Sequence, residues 1–296
     1  MTPSPNPGRV AFVGSGPGDP GLLTVRAREA LAGAPLVVTD SDVPEQVLAL
    51  VADGAEVRPA VGQPNDVAKD LVNEVQSGRS VTRLVSGDPF TVDSVVQEAI
   101  AVAAASVPFD VIPGVPAGTA VPAYAGVPLG SAHVEADVRA GVDWPRLAAA
   151  PGTFVLHATA SHLPEVAASL TEHGVASQTP VAVTVNGTHT TQKTVQSTLA
   201  TMAADAAELE GALVVTVGAE VGLRAELSWW ESRALYGWRV LVPRTKDQAG
   251  AMSDRLAVHG ASAEEVPTIA VEPPRSPTQM ERAVKGLVDG RYQWVV

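Results

Sequence analysis

Residues 10–24, VAFVGSGPGDPGLLT, constrain this chain more than any other stretch. Residues 10–14 read as a short buried strand, residues 14–20 as a loop nearly free of side chains, and a helix starts near Leu22. Glycine lets backbone approach a ligand closely and reaches φ values closed to other residues. A strand, a glycine loop and a helix at the head of an α/β domain are where small ligands usually bind. Two versions of the motif are excluded. The order G-x-G-x-G-D lacks the third glycine of a dinucleotide fingerprint, and no Gly-Lys-Ser/Thr closes a phosphate loop. The plainer alternative is a tight strand–helix turn with no ligand.

The pattern downstream supports an α/β reading. Strands are predicted at 9–13, 36–39, 56–60, 80–84 and 109–112, with helices at 22–32, 44–51, 65–77 and 91–105 between them. Strands alternating with helices of this length imply a parallel sheet covered on both faces. The alternation continues with a strand at 154–157, a helix around 163–173, a strand at 180–185, a helix around 195–209 and a strand at 212–217. The segment VPAYAGVPLG marks a crossing between two α/β lobes. Residues 223–237 read as a connector, with Trp229 and Trp230 expected to dock at a domain interface rather than do chemistry. A new α/β start follows: a strand from Trp238, a helix at 248–259, a strand at 263–269, a Pro-rich loop, a helix at 279–289 and a final apolar run at 292–296. A chain ending inside an apolar strand is expected to have lost a remainder.

Composition narrows the function. Hydrophobic residues make up 46% but aromatics only 4%, so Ala, Val and Leu build the core, as suits helices on Val-rich parallel strands. With no cysteine, disulfides, a thiolate nucleophile and a Cys-based metal site are excluded. No apolar run reaches the roughly 18 residues of a membrane span, and the opening MTPSPNPGR lacks the apolar core of a signal peptide. A cytoplasmic protein is expected. The net charge of −12 argues against nucleic acid as a partner. His133, His157, His162, His173, His189 and His259 show no metal-ligand spacing and are expected to be ordinary surface or supporting residues, with no metal bound.

The first glycine loop does not stand alone. VGSGPGDPGLLT, TRLVSGDPF (82–90), FDVIPGV (109–115), PAYAGVPL (122–129), NGT (186–188) with QKTV (192–195), and LVVTVG (213–218) occur in the order seen in the tetrapyrrole methylases. Residues 10–224 resemble that family, and within it the uroporphyrinogen-III C-methyltransferases. The resemblance implies a two-lobed tetrapyrrole methylase fold with parallel and mixed sheets: residues 1–8 a tail, 9–128 the first lobe and 129–222 the second. Residues 238–296 resemble the beginning of a uroporphyrinogen-III synthase, which implies a partial α/β synthase lobe behind the 223–237 connector.

The implied chemistry is transfer of a methyl group from S-adenosyl-L-methionine to pyrrole carbons of uroporphyrinogen III, in sirohaem, cobalamin or haem biosynthesis. The protein's task is alignment and exclusion of water, followed by removal of a proton. Carried over by position, the cofactor-binding residues are Pro17, Ser86, Gly87, Asp88, Ala117, Gly118, Ala158 and Gly218, and the catalytic residue is Asp40. Asp88 also reads as an ordinary Asp-Pro turn residue. A homodimer is implied by resemblance only. This sequence departs from the family where the substrate should lie. The Gly-Arg-Gly-Gly of the family is replaced by Asp93-Ser94-Val95-Val96, the Lys-Arg segment by 61–66, and the family's Thr-His-Arg and following strand by GSAHVEADVRAGVD (130–143). Charge-assisted pairs to carboxylates are the strong ones, so the missing cations bear on substrate. Three functions stay open: uroporphyrinogen-III methylation, methylation of another small molecule, and an inactive methylase-like domain serving a fused synthase.

Overall fold

A computed structural model of the chain describes residues 8–243, 246–266 and 276–291. Most of the expected tail, the end of the strand predicted at 263–269, most of the Pro-rich loop and the run at 292–296 lie outside the described residues. The chain divides into two compact units, 1–233 and 234–296.

The first unit opens with a five-stranded sheet. Its strands are β1 (Val10–Gly14), β2 (Leu36–Thr39), β3 (Glu56–Pro59), β4 (Val81–Val85) and β5 (Phe109–Ile112), in the order β3-β2-β4-β1-β5. Every neighbouring pair is parallel. The helices are α1 (Val25–Ala32), α2 (Glu45–Leu48), α3 (Pro64–Gln76) and α4 (Asp93–Ala104). Alternation along the strands sorts them. Val10, Phe12, Leu36, Val38, Val81 and Val85 pack with α3 and α4. Val13, Val37 and Leu84 pack on the other face, with Ala27 and Leu31 of α1 and Val47 of α2. Each fully buried side chain of this size contributes roughly 1.5–3 kcal/mol. The first helix starts later than predicted. Asp19 caps a 3-10 turn at Pro20–Leu22, and the Thr24 hydroxyl then accepts from Ala27 N to begin α1.

Helix α5 (Ala117–Tyr124) leads to a second sheet of β6 (His133–Asp137), β7 (Thr153–Ala158), β8 (Pro180–Val185), β9 (Lys193–Thr198) and β10 (Leu213–Val217). The order is β6-β7-β10-β8-β9, and only β6–β7 is parallel, so this sheet is mixed. Helices α6 (Trp144–Ala148), α7 (Leu163–Glu172) and α8 (Met202–Asp205) follow the chain round it, and α9 (Arg224–Leu227) closes the unit. One face, with Phe154, Leu156, Val183 and Val215, forms the larger core with Leu163, Val166 and Leu170 of α7 and Met202 of α8. The opposite face, with Val155 and Val214, packs on Val121 of α5.

Two expectations are corrected here. The helix predicted around 195–209 is mostly absent: residues 193–198 form an edge strand against β8, and only Met202–Asp205 is helical. The strand thought to be replaced after Leu129 is present as β6, pairing in parallel with β7.

In the second unit β11 (Arg239–Val242) pairs in parallel with β12 (Ser262–Glu265), joined by α10 (Lys246–Val258) and followed by α11 (Pro277–Val288). Among the described residues no helix is long and apolar enough to cross a membrane.

Candidate active site

Strands β1 and β4 are neighbours, yet α1 after β1 and α4 after β4 cover opposite faces. Their carboxyl ends therefore flank a topological switch point, where α/β sheets open a crevice. The loops of this crevice are tied by backbone. Gly16 N donates to Gly87 O at 3.2 Å and Gly87 N to Gly16 O at 2.9 Å. Pro17 thus sits on the same small ladder as Ser86–Asp88. Gly14, Gly87 and Gly114 converge so closely that a Cβ on Gly114 would stand 2.0 Å from Gly87 O. Gly87 itself has φ +71, and a Cβ there would meet nothing within 4 Å. The free side of that bare backbone faces open space.

The Asp88 carboxylate takes part in this architecture. Its Oδ1 accepts from Phe90 N at 2.9 Å and its Oδ2 from Gly114 N at 3.0 Å. It caps the 3-10 turn Pro89–Thr91 and clamps the β4 loop to the end of β5. Asp40 is equally engaged: Oδ1 pairs with Arg83 Nη2 at 2.6 Å, and Oδ2 accepts from Ser86 N at 3.3 Å. Arg83 points from β4 toward α4, where Glu98 meets it through two bonds of 2.8 and 3.0 Å. Arg83 and Glu98 side chains are each only 3% exposed. Burial alone would favour the neutral guanidine; the Glu98 hydrogen bond and the Asp40 charge outweigh it and raise the Arg83 pKa further. This triad was missed in the sequence, where Glu98 reads as one more helix carboxylate.

The second lobe forms the facing wall. Ala117 and Gly118 begin α5 only three residues beyond Gly114. A Cβ on Gly118 would lie 2.2 Å from the Glu135 Cδ on β6. Glu135 Oε1 is 2.6 Å from His157 Nε2 on β7. Both residues lie on the sheet face that α5 covers. Ala158 does not: alternation turns its side chain into the second-lobe core. Gly218 stands apart from the rest. It follows Val217, which pairs with Phe154, whereas Ala158 pairs with Leu213, so the two sit at opposite ends of the sheet. At roughly 3.3 Å per strand residue that is about 15 Å or more.

A third group latches the lobes together. Asp19 N donates to Thr188 Oγ1 at 3.1 Å, and Tyr124 OH to Asp19 Oδ2 at 3.0 Å. Burial, with Asp19 beside it, pushes the Tyr124 phenol up to about 12, so it stays a donor. Thr188 is buried at φ +70, a backbone strained for a β-branched residue by roughly 1–3 kcal/mol. Gln192 Oε1 holds its N–H, and Glu231 joins Gln192 to Arg224. Trp230 donates to His189 O and Trp229 to Ala123 O, both rings packing on Tyr124. The paired tryptophans therefore dock within the first unit, against α5 and the β8–β9 loop.

His189 gives this latch a pH dependence. Burial lowers its pKa from the usual imidazole value, with Asp19 opposing weakly. The unfolded chain then binds a proton more readily than the fold, so stability is complete above about pH 6.5 and falls as pH drops below it. Urea unfolding from pH 7.5 to 5 should show a falling midpoint in the wild type and a flatter one in His189→Gln. Equal slopes would remove His189 from the account.

Several cations of the first unit are held in ion pairs. Arg58 pairs with Asp70 and Glu74, Arg79 with Glu56 and Glu74, and Arg139 with Asp137 through two short bonds. Among the described residues no cluster of three potential ligands could hold a metal ion.

A parallel glycine-looped lobe and a mixed-sheet lobe latched across α5 define a class. Residues 9–203 match the family model of the Tetrapyrrole (Corrin/Porphyrin) Methylases, and the chain belongs to that family. "Siroheme synthase 2" of Klebsiella pneumoniae is 34% identical over 242 residues, 76% of this chain and 53% of that protein. The chain thus spans about half the length of the curated relatives it matches. Among solved structures, uroporphyrin-III-C-methyltransferase from Thermus thermophilus matches with TM-score 0.66 and 28% identity, over 75% of this chain and 97% of that one. The same Thermus thermophilus enzyme complexed with S-adenyl homocysteine matches with TM-score 0.64 and 29% identity, over 73% and 100%.

Proposed function

We propose that this chain is an S-adenosylmethionine-dependent C-methyltransferase whose substrate is a uroporphyrinogen-type tetrapyrrole. The observation that carries the reading is the backbone-lined crevice at the β1–β4 switch point, closed by the Gly16–Gly87 bridge and open on the free side of Gly87. The family match and the S-adenyl homocysteine complex of the Thermus thermophilus enzyme support it. When bound, the cofactor supplies an electrophilic methyl on a sulfonium. Pro17, Ser86, Gly87 and the first turn of α5 at Ala117 and Gly118 would hold it. Asp88 and Asp40 act by fixing the loops that form the cradle, since each carboxylate oxygen already accepts from the protein. Residues 238–296 would supply the opening of a synthase lobe, for which the parallel β11–α10–β12 unit is the support.

Isothermal titration with S-adenosylhomocysteine is the direct test. Micromolar binding is expected, and no binding at millimolar ligand overturns the cofactor reading. The loss of the family's basic segments, replaced here by residues 61–66 and 93–96, favours a second reading, a methylase-like domain that keeps the cofactor and lacks turnover. It predicts the same binding with no label passed from methyl-labelled cofactor to uroporphyrinogen III.

A further inference from the structure

Glu135 and His157 are an unassigned acid–base pair placed in the cleft by register. On β6 the side chains of Val134 and Ala136 face the second-lobe core, and on β7 those of Phe154, Leu156 and Ala158 do the same. The intervening residues, Glu135 and His157, must face the other way. That is the side where α5 lies and where the end of β5 enters from the first lobe. Glu135 abuts Gly118, four residues beyond the Gly114 amide that Asp88 holds. The pair therefore abuts the first turn of α5, which forms one wall of the proposed cofactor cradle.

The chemistry of the pair is specific. An ionised carboxylate only accepts, so at 2.6 Å the His157 Nε2 carries the hydrogen and donates it to Glu135. Nδ1 is then the lone-pair nitrogen, and it makes no hydrogen bond to any described residue. His157 is 22% exposed and Glu135 36%, so a small molecule in the cleft can reach them. A carboxylate behind an imidazole fixes its tautomer and stabilises the imidazolium that forms on proton uptake. The charged groups facing this imidazole are Glu135 and Asp137 on β6. Beyond them, Arg139 is bound to Asp137 and faces Asp42 of the first lobe. Helix α5 brings no charged residue to it.

We infer that His157, oriented by Glu135, is the proton acceptor for the methylated substrate. The inference rests on the methyltransferase reading above. In the step, a substrate carbon forms a bond to the methyl group as the S–CH3 bond breaks. The sulfur keeps that electron pair and becomes a neutral thioether. The substrate cation then loses one proton to His157 Nδ1, and the imidazolium returns it to water. Asp40, the carboxylate expected from resemblance to act here, is instead held by Arg83 and Ser86 N.

The experiment follows the His157 imidazole by NMR, assigned with His157→Gln, during titration of the whole chain with S-adenosylhomocysteine. Methyl transfer to uroporphyrinogen III is then measured against pH in wild type, His157→Gln and Glu135→Gln. The expected result has the His157 resonances shifting as the cofactor product binds. His157→Gln should bind it within about twofold of wild type, lose about 10²–10⁴-fold in single-turnover methyl transfer, and lose the rise of rate with pH. Glu135→Gln should keep that rise at a lower single-turnover rate, since the imidazole loses its orienting carboxylate. Binding of S-adenosylhomocysteine that leaves His157 unmoved overturns the inference and leaves the cofactor reading intact. Turnover of His157→Gln within threefold of wild type also overturns it. Failure of the wild type to bind S-adenosylhomocysteine removes the methyltransferase reading and this inference together.

Discussion

Arg83→Met should cost about 3–5 kcal/mol of folding stability, the usual penalty for removing one partner of a buried ion pair. The argument is one of orphaned charge. Glu98 is 2% exposed and its two oxygens are satisfied by the Arg83 guanidinium. Without that partner a carboxylate is left in a cavity lined by Val95, Ala99 and the strand cores, where water cannot replace the lost bonds. Asp40 loses its 2.6 Å contact in the same stroke, and with it the restraint on Ser86. For a unit of this size each kcal/mol moves the midpoint by about 2–4 °C, so thermal unfolding should fall by about 6–20 °C. Calorimetry of Arg83→Met beside the double variant Arg83→Met/Glu98→Leu separates pair from packing. The double variant should recover most of the loss, because apolar replacement of a buried pair is often neutral. A single variant within 1 kcal/mol of wild type, by urea unfolding, would show that the triad stabilises nothing.

How much of this was legible follows from range. The strands β1, β2 and β4 were read to within a residue or so, because a strand buried on both faces is rich in apolar residues of its own. The glycine loops were legible for the same reason: Gly14, Gly87 and Gly114 each mark a local oddity of composition. What escaped depends on partners distant in sequence. Lys193–Thr198, KTVQST, is polar because it is an edge strand with β8 on one side, and without β8 it resembles any solvated helix face. Helix α5 carries Pro122 inside it, so its sequence reads as a breaker. Glu98, Glu135 and His157 look like surface residues until the register of β4, β6 and β7 is known. Ala158 illustrates the converse. It was carried over by position from the family motif, yet strand alternation turns its side chain away from α5 and into the core.

Gly114→Ala should weaken binding in the crevice severely. The new methyl would stand 2.0 Å from Gly87 O and 3.0 Å from Gly14 Cα. These are backbone atoms at the ends of β4 and β1, so no side chain can swing aside. Relief requires the β4 loop to move, and that breaks the Gly16–Gly87 bridge and the bond from Gly114 N to Asp88. Overpacking of this kind costs about 1–3 kcal/mol or more in stability, but the larger loss is positional, since a cradle displaced by an ångström no longer fits its ligand. Titration with S-adenosylhomocysteine should show at least a hundredfold weaker binding. Gly87→Ala is the informative companion. Its φ of +71 disfavours alanine by roughly 1–2 kcal/mol, yet its Cβ meets no protein atom within 4 Å. That variant should fold and still bind poorly, because the added methyl enters the space left for the ligand. If Gly87→Ala binds like wild type, the ligand does not lie against Gly87. If Gly114→Ala does so as well, the crevice at the β1–β4 switch point is not the site.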